Sequence, residues 1–234
     1  MRKNRITPNS SGGNGPRERS RNLKLAIYQQ LRERIVFLEL KPGEFINETR
    51  LAPELGVSRT ILREILQRLI ADGLLTSTPG QGVYVQGLDL LMIKSAYEVR
   101  IPLEGLAGRL AAERVRPLDL DHLRGLIAQG ESLVSERDYR AMARLDWELH
   151  RTIGETTRND LLATTLLRLL IPFNRLWYIA MADYGRVGKF LQEWQKVLKA
   201  IEQREAAAAE KALIDHMVAT SSVISPVLSL NSMP

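Results

Sequence analysis

The stretch GVSRTILREILQRLIADGLL, residues 56–75, decides the fold because it encodes one amphipathic helix between two chain reversals. Ser58 is a typical amino-terminal helix cap, and Gly73 is a typical helix stop. Between them, apolar residues recur at the i, i+3, i+4, i+7 spacing of one buried stripe. This stripe consists of Leu62, Ile65, Leu66, Leu69 and Ile70. The opposite face begins with Arg59 and Arg63, whose guanidinium groups lie one helical turn apart. The function of this helix therefore depends on what the two guanidinium groups contact.

Positive charge is concentrated in the first third of the chain. The 234 residues carry 33 Lys and Arg against 27 Asp and Glu, a formal charge of +6. Residues 1–87 contain 14 basic and 8 acidic residues, whereas residues 88–234 contain 19 of each. Since phosphate neutralisation supplies most non-specific nucleic-acid affinity, this asymmetry predicts a region that binds a polyanion. A solubilising tail is the alternative, because six of the 14 basic residues lie within residues 1–22.

Composition argues against an enzyme and against a membrane protein. Zero cysteines exclude disulfides, thiolate zinc sites and cysteine nucleophiles, and three histidines leave little imidazole chemistry. The chain has no apolar run of membrane-spanning length, and its start has no hydrophobic signal region. We therefore expect a cytoplasmic protein with no membrane partner and no catalytic residue.

The pattern along the chain predicts two domains that meet near Gly87. Residues 1–22 mix Arg, Asn, Ser, Gly and Pro without periodicity, which predicts a disordered basic arm. Residues 23–87 predict helix, short helix, tight turn, helix and hairpin, which is the order of a winged helix-turn-helix domain. Residues 88–225 predict helices throughout, and residues 226–234 predict a frayed tail. The expected fold is mainly α, with an amino-terminal winged helix-turn-helix followed by an all-helical bundle.

The polar end of the helix in residues 56–75 suits the major groove of DNA. In a helix-turn-helix, the second helix lies in that groove and its first residues reach base edges. Arg59 and Arg63 match guanine O6 and N7, while Ser58 and Thr60 can donate to phosphate near the positive end of the helix. For this helix alone, an ordinary solvated face is the alternative, since exposed arginines are common. The adjacent turn, the wing and the local charge favour DNA binding.

The first domain resembles the DNA-binding domain of the GntR family of bacterial transcriptional regulators. The motifs of the resemblance, in order, are LKPGEF at residues 40–45, LAPELGVSRT at 51–60, REILQRL at 63–69 and GQGVYV at 80–85. Ile61 departs from the pattern, since many members have proline there; this changes an apolar contact but not the polar face. The complete expected set of DNA contacts is Thr49, Arg50, Ser58, Arg59, Thr60, Arg63, Gln81 and Gly82.

The helical remainder resembles the ligand-binding domain of the FadR-type subgroup, the FCD domain. The motifs are YEVRIPLEGLAGRLAAERV at residues 97–115, DWELH at 146–150, TRNDLL at 157–162 and KALIDHM at 211–217. The two resemblances together cover about residues 23–224. They imply a homodimer that binds a pseudo-palindromic double-stranded operator and responds to a small-molecule effector.

Asp146 and His150 lie four residues apart, so on a helix they share one face and can chelate one cation. From the residues alone, hydrogen-bonded core groups are the alternative. The resemblance implies a metal site completed by two histidines of the last two helices; His216 matches one of them, but Trp194 stands in place of the other. Because the indole N–H is only a donor, we expect a divalent metal, zinc or nickel, to be lost or held weakly.

Arg100 lies where the resemblance implies an arginine that grips a carboxylate effector, which its planar fork suits. A surface ion pair with Glu104 is the alternative. Asn174 and Arg175 are weaker candidates, based only on polarity within an apolar helix. The expected effector site consists of Arg100, Asp146, His150, Asn174, Trp194 and His216.

Three classes of function are compatible with these residues. The first is a regulator whose operator affinity is controlled by a small carboxylate-bearing metabolite. The second is a metal-dependent hydrolase, but the chain has no phosphate-binding glycine loop and no nucleophile elbow. The third is a ligand-independent DNA-binding protein whose helical domain only dimerises. We expect the first, and a ligand-dependent change in DNA affinity would separate it from the third.

Overall fold

A computed structural model describes residues 16–87, 90–184 and 187–230. The first part of the chain contains three helices and a hairpin: α1 Pro16–Val36, α2 Glu48–Glu54, α3 Arg59–Ala71, β1 Leu75–Thr78 and β2 Gly82–Val85. The remainder contains six helices: α4 Leu90–Arg114, α5 Pro117–Glu136, α6 Tyr139–Thr156, α7 Asp160–Tyr184, α8 Val187–Glu202 and α9 Ala206–Leu230. This order is that of a winged helix-turn-helix followed by a helical bundle, as the sequence predicted.

Local signals position the helix-turn-helix. The side chain of Asn47 caps the first backbone N–H groups of α2, and Pro53 lies inside this helix of seven residues. Gly56 reverses the chain with a φ of 66°, in the left-handed region that glycine adopts at little cost. Ser58 Oγ then accepts the backbone N–H of Ile61 at 3.3 Å and caps α3. The end of α2 and the start of α3 are therefore set by residues of the tight turn itself.

The core of the DNA-binding domain is apolar. The predicted stripe of α3 is buried except for Ile70, which is half-buried, and it packs with residues of α1 and of the hairpin. The hairpin strands are antiparallel, with Leu75 opposite Val85 and Thr78 opposite Gly82. These contacts fix one face of α3 inside the domain and leave its other face to solvent.

In the helical domain, α4 packs along α9 and α6 packs along α7. The close approach of α4 and α9 depends on Gly108, where an added Cβ would lie 2.6 Å from the backbone oxygen of Ala209. No helix in the described parts of the chain is long and apolar enough to cross a membrane.

Both ends of the described chain are more helical than predicted. The prediction of a disordered arm is wrong for residues 16–22, because α1 begins at Pro16. Proline is compatible with a first helical turn, and the arginines and glutamate after it are good helix formers. The predicted tail is likewise wrong for residues 226–230, where α9 continues because its helical apolar spacing extends past Pro226. Residues 1–15 of the predicted arm and 231–234 of the predicted tail lie outside the described residues.

The two domains contact each other through α1 and α6. Val36 and Phe37, at the end of α1, belong to the core of the helical domain, whereas Trp147 of α6 packs against the core of the DNA-binding domain. Arg144 donates two hydrogen bonds to the Glu33 carboxylate, at 2.9 and 2.8 Å. Each domain therefore inserts side chains into the other.

Candidate DNA interface and effector site

The polar end of α3 is exposed. The side chains of Arg59 and Arg63 are 58% and 62% exposed, and Ser58 and Thr60 are exposed beside them. Arginine forks at the free end of a helix in this motif can reach base edges without any rearrangement of the core. The structure therefore leaves the predicted reading face available.

The remaining predicted DNA contacts lie at the start of α2 and in the wing. Thr49, Arg50 and Gln81 are exposed. Gly82 is half-buried, and a Cβ there would lie 2.7 Å from the Phe45 ring, so packing within the domain already requires this glycine.

Glu48 is a neighbour of the reading face that the sequence analysis did not single out. Its Oε2 lies 2.7 Å from Nε of Arg63 and 3.8 Å from Nη2 of Arg59. The signal was an acidic residue in the first turn of α2, but only the crossing of α2 and α3 brings it to the forks. This carboxylate partly neutralises both arginines.

The interior of the helical domain contains a cluster of ionisable side chains. We call these residues the buried polar cluster; each is at most 4% exposed, and they come from α4, α6 and α9: Arg100, Glu104, Asp146, His150 and His216. Five such groups inside one domain are unusual, because a buried charge is costly unless it is paired. The sequence predicted four of them as site residues and named Glu104 only as a partner of Arg100.

The three predicted metal ligands converge. Suitable ligand atoms of Asp146, His150 and His216 all lie within 4.8 Å of one another. On the other side of each ring, Nδ1 of His150 lies 3.0 Å from Glu104, and Nδ1 of His216 lies 3.1 Å from Glu193. A carboxylate behind each imidazole is the usual support of metal-binding histidines. These donors therefore fit three positions of a divalent metal site.

Trp194 occupies the place of the fourth ligand. Its Nε1 donates to Oδ1 of Asp146 at 3.1 Å, and its ring centroid lies 4.8 Å from that of His150 and 4.5 Å from that of His216. The indole N–H has no lone pair for a metal, and here it already donates to the Asp146 carboxylate. Asp146, His150 and His216 could thus act as ligands of a divalent metal, and a further ligand would have to be a water or an effector.

Contacts within the cluster oppose the effect of burial on the pKa of Glu104, Asp146 and His216. Burial alone would raise the pKa of the Glu104 carboxyl, but His150 and Arg100 outweigh burial and lower this pKa to about 2. Burial also opposes ionisation of Asp146, and the neighbouring histidines hold its pKa below the ordinary value. For His216, burial alone would lower the pKa, but Asp146 and Glu193 raise it to about 9.

Arg100 forms the ion pair that was the alternative to an effector contact, but the pair is buried and not on the surface. Its Nε and Nη2 lie 3.0 and 2.8 Å from Oε1 of Glu104. The second carboxylate oxygen, Oε2, is buried without a hydrogen-bond partner among the described atoms. Buried acceptors are normally satisfied, so this oxygen marks a place for a donor from water or from a ligand.

Arg175, one of the two weaker candidates, does not join the buried polar cluster. Arg175 is buried and donates to the backbone oxygens of Gln86 and Gly87, at 2.9 and 3.4 Å. It therefore anchors the connection between the domains. Asn174 lies in α7, but its side chain is outside the described residues.

Comparisons with known proteins agree with both halves of this architecture. The model of bacterial regulatory proteins of the gntR family matches residues 23–85, and the model of the FCD domain matches residues 95–219. The chain is 40% identical to the Nta operon transcriptional regulator of Aminobacter aminovorans over 131 residues, which are 55% of this chain and 61% of that regulator. It is 29% identical to the HTH-type transcriptional regulator YdhC of Bacillus subtilis over 195 residues, 82% of this chain and 86% of that one.

Solved structures show the same fold. Escherichia coli McbR (YncC) superposes with a TM-score of 0.79 at 20% identity, covering 88% of this chain and 98% of that chain. A GntR regulator from a Rhodococcus species superposes with a TM-score of 0.71 at 19% identity, covering 91% of this chain and 100% of that chain. The predicted fold class is confirmed. The chain therefore belongs to the GntR family of bacterial transcriptional regulators, and its helical part is an FCD domain.

Proposed function

We propose that the protein is a homodimeric regulator whose operator affinity is controlled by a small carboxylate-bearing metabolite bound at the buried polar cluster. The observation that carries this proposal is the placement of five ionisable side chains inside a domain whose remaining core is largely apolar. Such a cluster contributes little to the stability of the fold, because well-packed apolar residues of similar volume often give equal or greater stability. Its retention is explained when it recognises a polar ligand.

The cluster offers both signs of charge to such a ligand. Arg100 favours a carboxylate, and the unpaired Oε2 of Glu104 favours a hydroxyl or ammonium donor on the same molecule. Asp146, His150 and His216 would hold a divalent metal, zinc or nickel, whose open position accepts an effector oxygen. The Trp194 ring lies beside both imidazoles and offers an apolar wall to the ligand.

The DNA end of the proposal rests on α3. Arg59 and Arg63 would exchange the Glu48 carboxylate for guanine edges and phosphates on a pseudo-palindromic site. A two-fold dimer imposes a two-fold operator, since each copy presents one recognition helix.

The DNA assignment is tested on duplexes selected from a random library by the full-length protein. Arg59→Ala and Arg63→Ala should each cost about 1–3 kcal/mol on the selected duplex and flatten its sequence preference. Arg124→Ala is the matched control, because Arg124 is an exposed arginine of the helical domain. Parent-like affinity of both α3 variants at fixed salt would show that α3 does not read the operator.

The effector assignment is tested by repeating the titration with a panel of small mono-, di- and hydroxycarboxylates. At least one should change operator affinity by about 5- to 150-fold, the usual range of allosteric coupling. That change should shrink in Trp194→Ala, which removes the apolar wall. If no carboxylate changes operator affinity, the alternative stands: a ligand-independent DNA-binding protein with a helical domain for dimerisation.

A further inference from the structure

A second cavity lies where the two domains meet. It has a volume of about 300 Å³ and is lined by α1 of the DNA-binding domain and by α6 of the helical domain. We call it the junction cavity and define it by Gln29 and Arg32 of α1 and by Ala143, Arg144 and Trp147 of α6. Its volume lies at the lower end of the range for small-molecule sites.

Arg32 in its wall has unused hydrogen-bonding capacity. The guanidinium carbon lies over the Trp147 ring, 3.6 Å from its centroid, which is a cation–π contact. Nε and Nη2 of Arg32 are both buried, and neither has a hydrogen-bond partner among the described atoms. Since buried guanidinium nitrogens are normally paired, two adjacent unpaired donors point to a missing acceptor.

The carboxylates that line the same cavity are engaged elsewhere. Glu33 accepts two hydrogen bonds from Arg144, and Glu148 accepts two from Arg151, at 2.9 and 2.5 Å. Both acids thus hydrogen-bond to arginines other than Arg32, and Arg151 also donates to Glu155 at 2.6 Å. Arg32 remains the cation of the cavity wall without a hydrogen-bonded carboxylate.

We propose that the junction cavity binds a small oxyanion, a carboxylate or a phosphate, whose oxygens accept from Nε and Nη2 of Arg32. A planar arginine fork suits either group, because two parallel N–H donors match two oxygens. The body of the ligand packs against Trp147, and exposed Gln29 and Arg144 lie at the edge of the cavity.

This site is separate from the buried polar cluster, although both use α6. Arg144, Trp147 and Glu148 share one face of the helix, whereas Asp146 and His150 share another. A ligand in the junction cavity contacts both domains. It therefore stabilises this arrangement of the DNA-binding domain relative to the helical domain. If the DNA-bound protein prefers a different arrangement, the ligand lowers operator affinity by the corresponding coupling free energy.

The test uses full-length protein labelled with 5-fluorotryptophan and followed by fluorine NMR. The chain has three tryptophans, and Trp147→Phe and Trp194→Phe assign two of the three resonances. The probes are inorganic phosphate and succinate, added at constant ionic strength against chloride. We expect a saturable shift of the Trp147 resonance with at least one probe, while the Trp194 resonance stays in place. The probe that saturates at the lower concentration identifies the class of oxyanion.

Variants connect the shift to Arg32. Arg32→Gln should raise the dissociation constant of the saturating probe at least about tenfold, because the positive charge and the paired N–H donors of the guanidinium are lost. Arg34→Gln is the matched control, since Arg34 lies on the same helix but pairs with Glu54 and does not line the cavity. If circular dichroism shows that Arg32→Gln is unfolded, Arg32→Lys decides: it keeps the charge without the fork and should also bind more weakly than the parent.

Three results would overturn the proposal. One is the absence of saturation by either probe up to about 50 mM, which leaves only non-specific screening. Another is parent-like binding in the folded Arg32 variants. The third is a shift of the Trp194 resonance at the same probe concentration, which would place the oxyanion in the buried polar cluster.

Discussion

The DNA-binding domain and the helical domain have interiors of opposite character. In the first, the buried side chains of α1, α3 and the hairpin form an apolar core, and the arginines of α3 lie outside it. In the second, the interior encloses the buried polar cluster. Among the described residues, every ionisable side chain that is at most 4% exposed belongs to the helical domain.

The proposed function accounts for this difference. A polyanion is bound from outside, so the DNA-binding domain can keep its charges in water and use an ordinary core. A small ligand that is enclosed must meet its polar partners inside the protein. The helical domain therefore encloses a cluster of desolvated ionisable groups, whereas the described core of the DNA-binding domain is apolar. The two regions should respond differently to substitution.

The largest expected effect is that of Glu104→Ala. It leaves Arg100 buried without its carboxylate partner, and breaking a buried pair in this way costs about 3–5 kcal/mol of unfolding free energy. Asp215→Ala is the control, because it breaks an exposed pair with Lys211 at the same i, i+4 spacing and should cost about 0.5 kcal/mol or less. Urea denaturation measures both, and similar costs would erase the distinction between the two kinds of pair.

A comparable substitution in the other domain is Leu62→Ala. Leu62 is fully buried, so its truncation should cost about 2–5 kcal/mol through lost burial and a residual cavity. Leu62→Met preserves volume and should cost less than about 1.5 kcal/mol, as expected of an apolar core. Proteolysis and operator titration report on this domain. A large loss of unfolding free energy in Leu62→Met would mean that the stability of this core depends on the shape of the side chain as well as on its apolar volume.

Trp194→His should convert the helical interior into a stronger metal site. The new imidazole can supply the lone pair that indole lacks, so zinc affinity should rise by at least about tenfold, or 1.4 kcal/mol. Competition with a chromophoric chelator measures the affinity, and Trp194→Phe should show no gain. One tightly held metal per chain in the parent, removable only by strong chelators, would show that a fourth ligand comes from elsewhere.

The smallest effect is expected from the basic residues at the chain start, Arg2, Lys3 and Arg5. Their replacement by serine should weaken the binding of the protein to the selected duplex and to random duplexes by similar factors. The slope of the logarithm of the DNA-binding constant against the logarithm of salt concentration should become less negative by about 0.9 for each phosphate contact that is lost. Titrations at several salt concentrations measure this slope. A selective loss on the operator would instead indicate that these residues read a groove.

Sequence patterns predicted the local parts of the structure well. The buried stripe of α3, its Ser58 cap and the short α2 around Pro53 depend on residues a few positions apart, and all three occur. The predictions for both ends of the described chain are wrong. At the start, good helix formers follow Pro16 within a polar stretch, and at the end the helical apolar spacing extends past Pro226.

The sequence by itself determined the element order, the exposed polar end of α3 and the identity of the donors in the helical domain. These follow from period, caps and residue chemistry, which act within a few turns of chain. Only the tertiary structure decided which groups meet. Trp194 donates to Asp146 across 48 residues, and Arg144 reaches Glu33 across 111. Packing of helices from distant parts of the chain creates such contacts, and no local pattern encodes which side chains will face each other when that packing is complete.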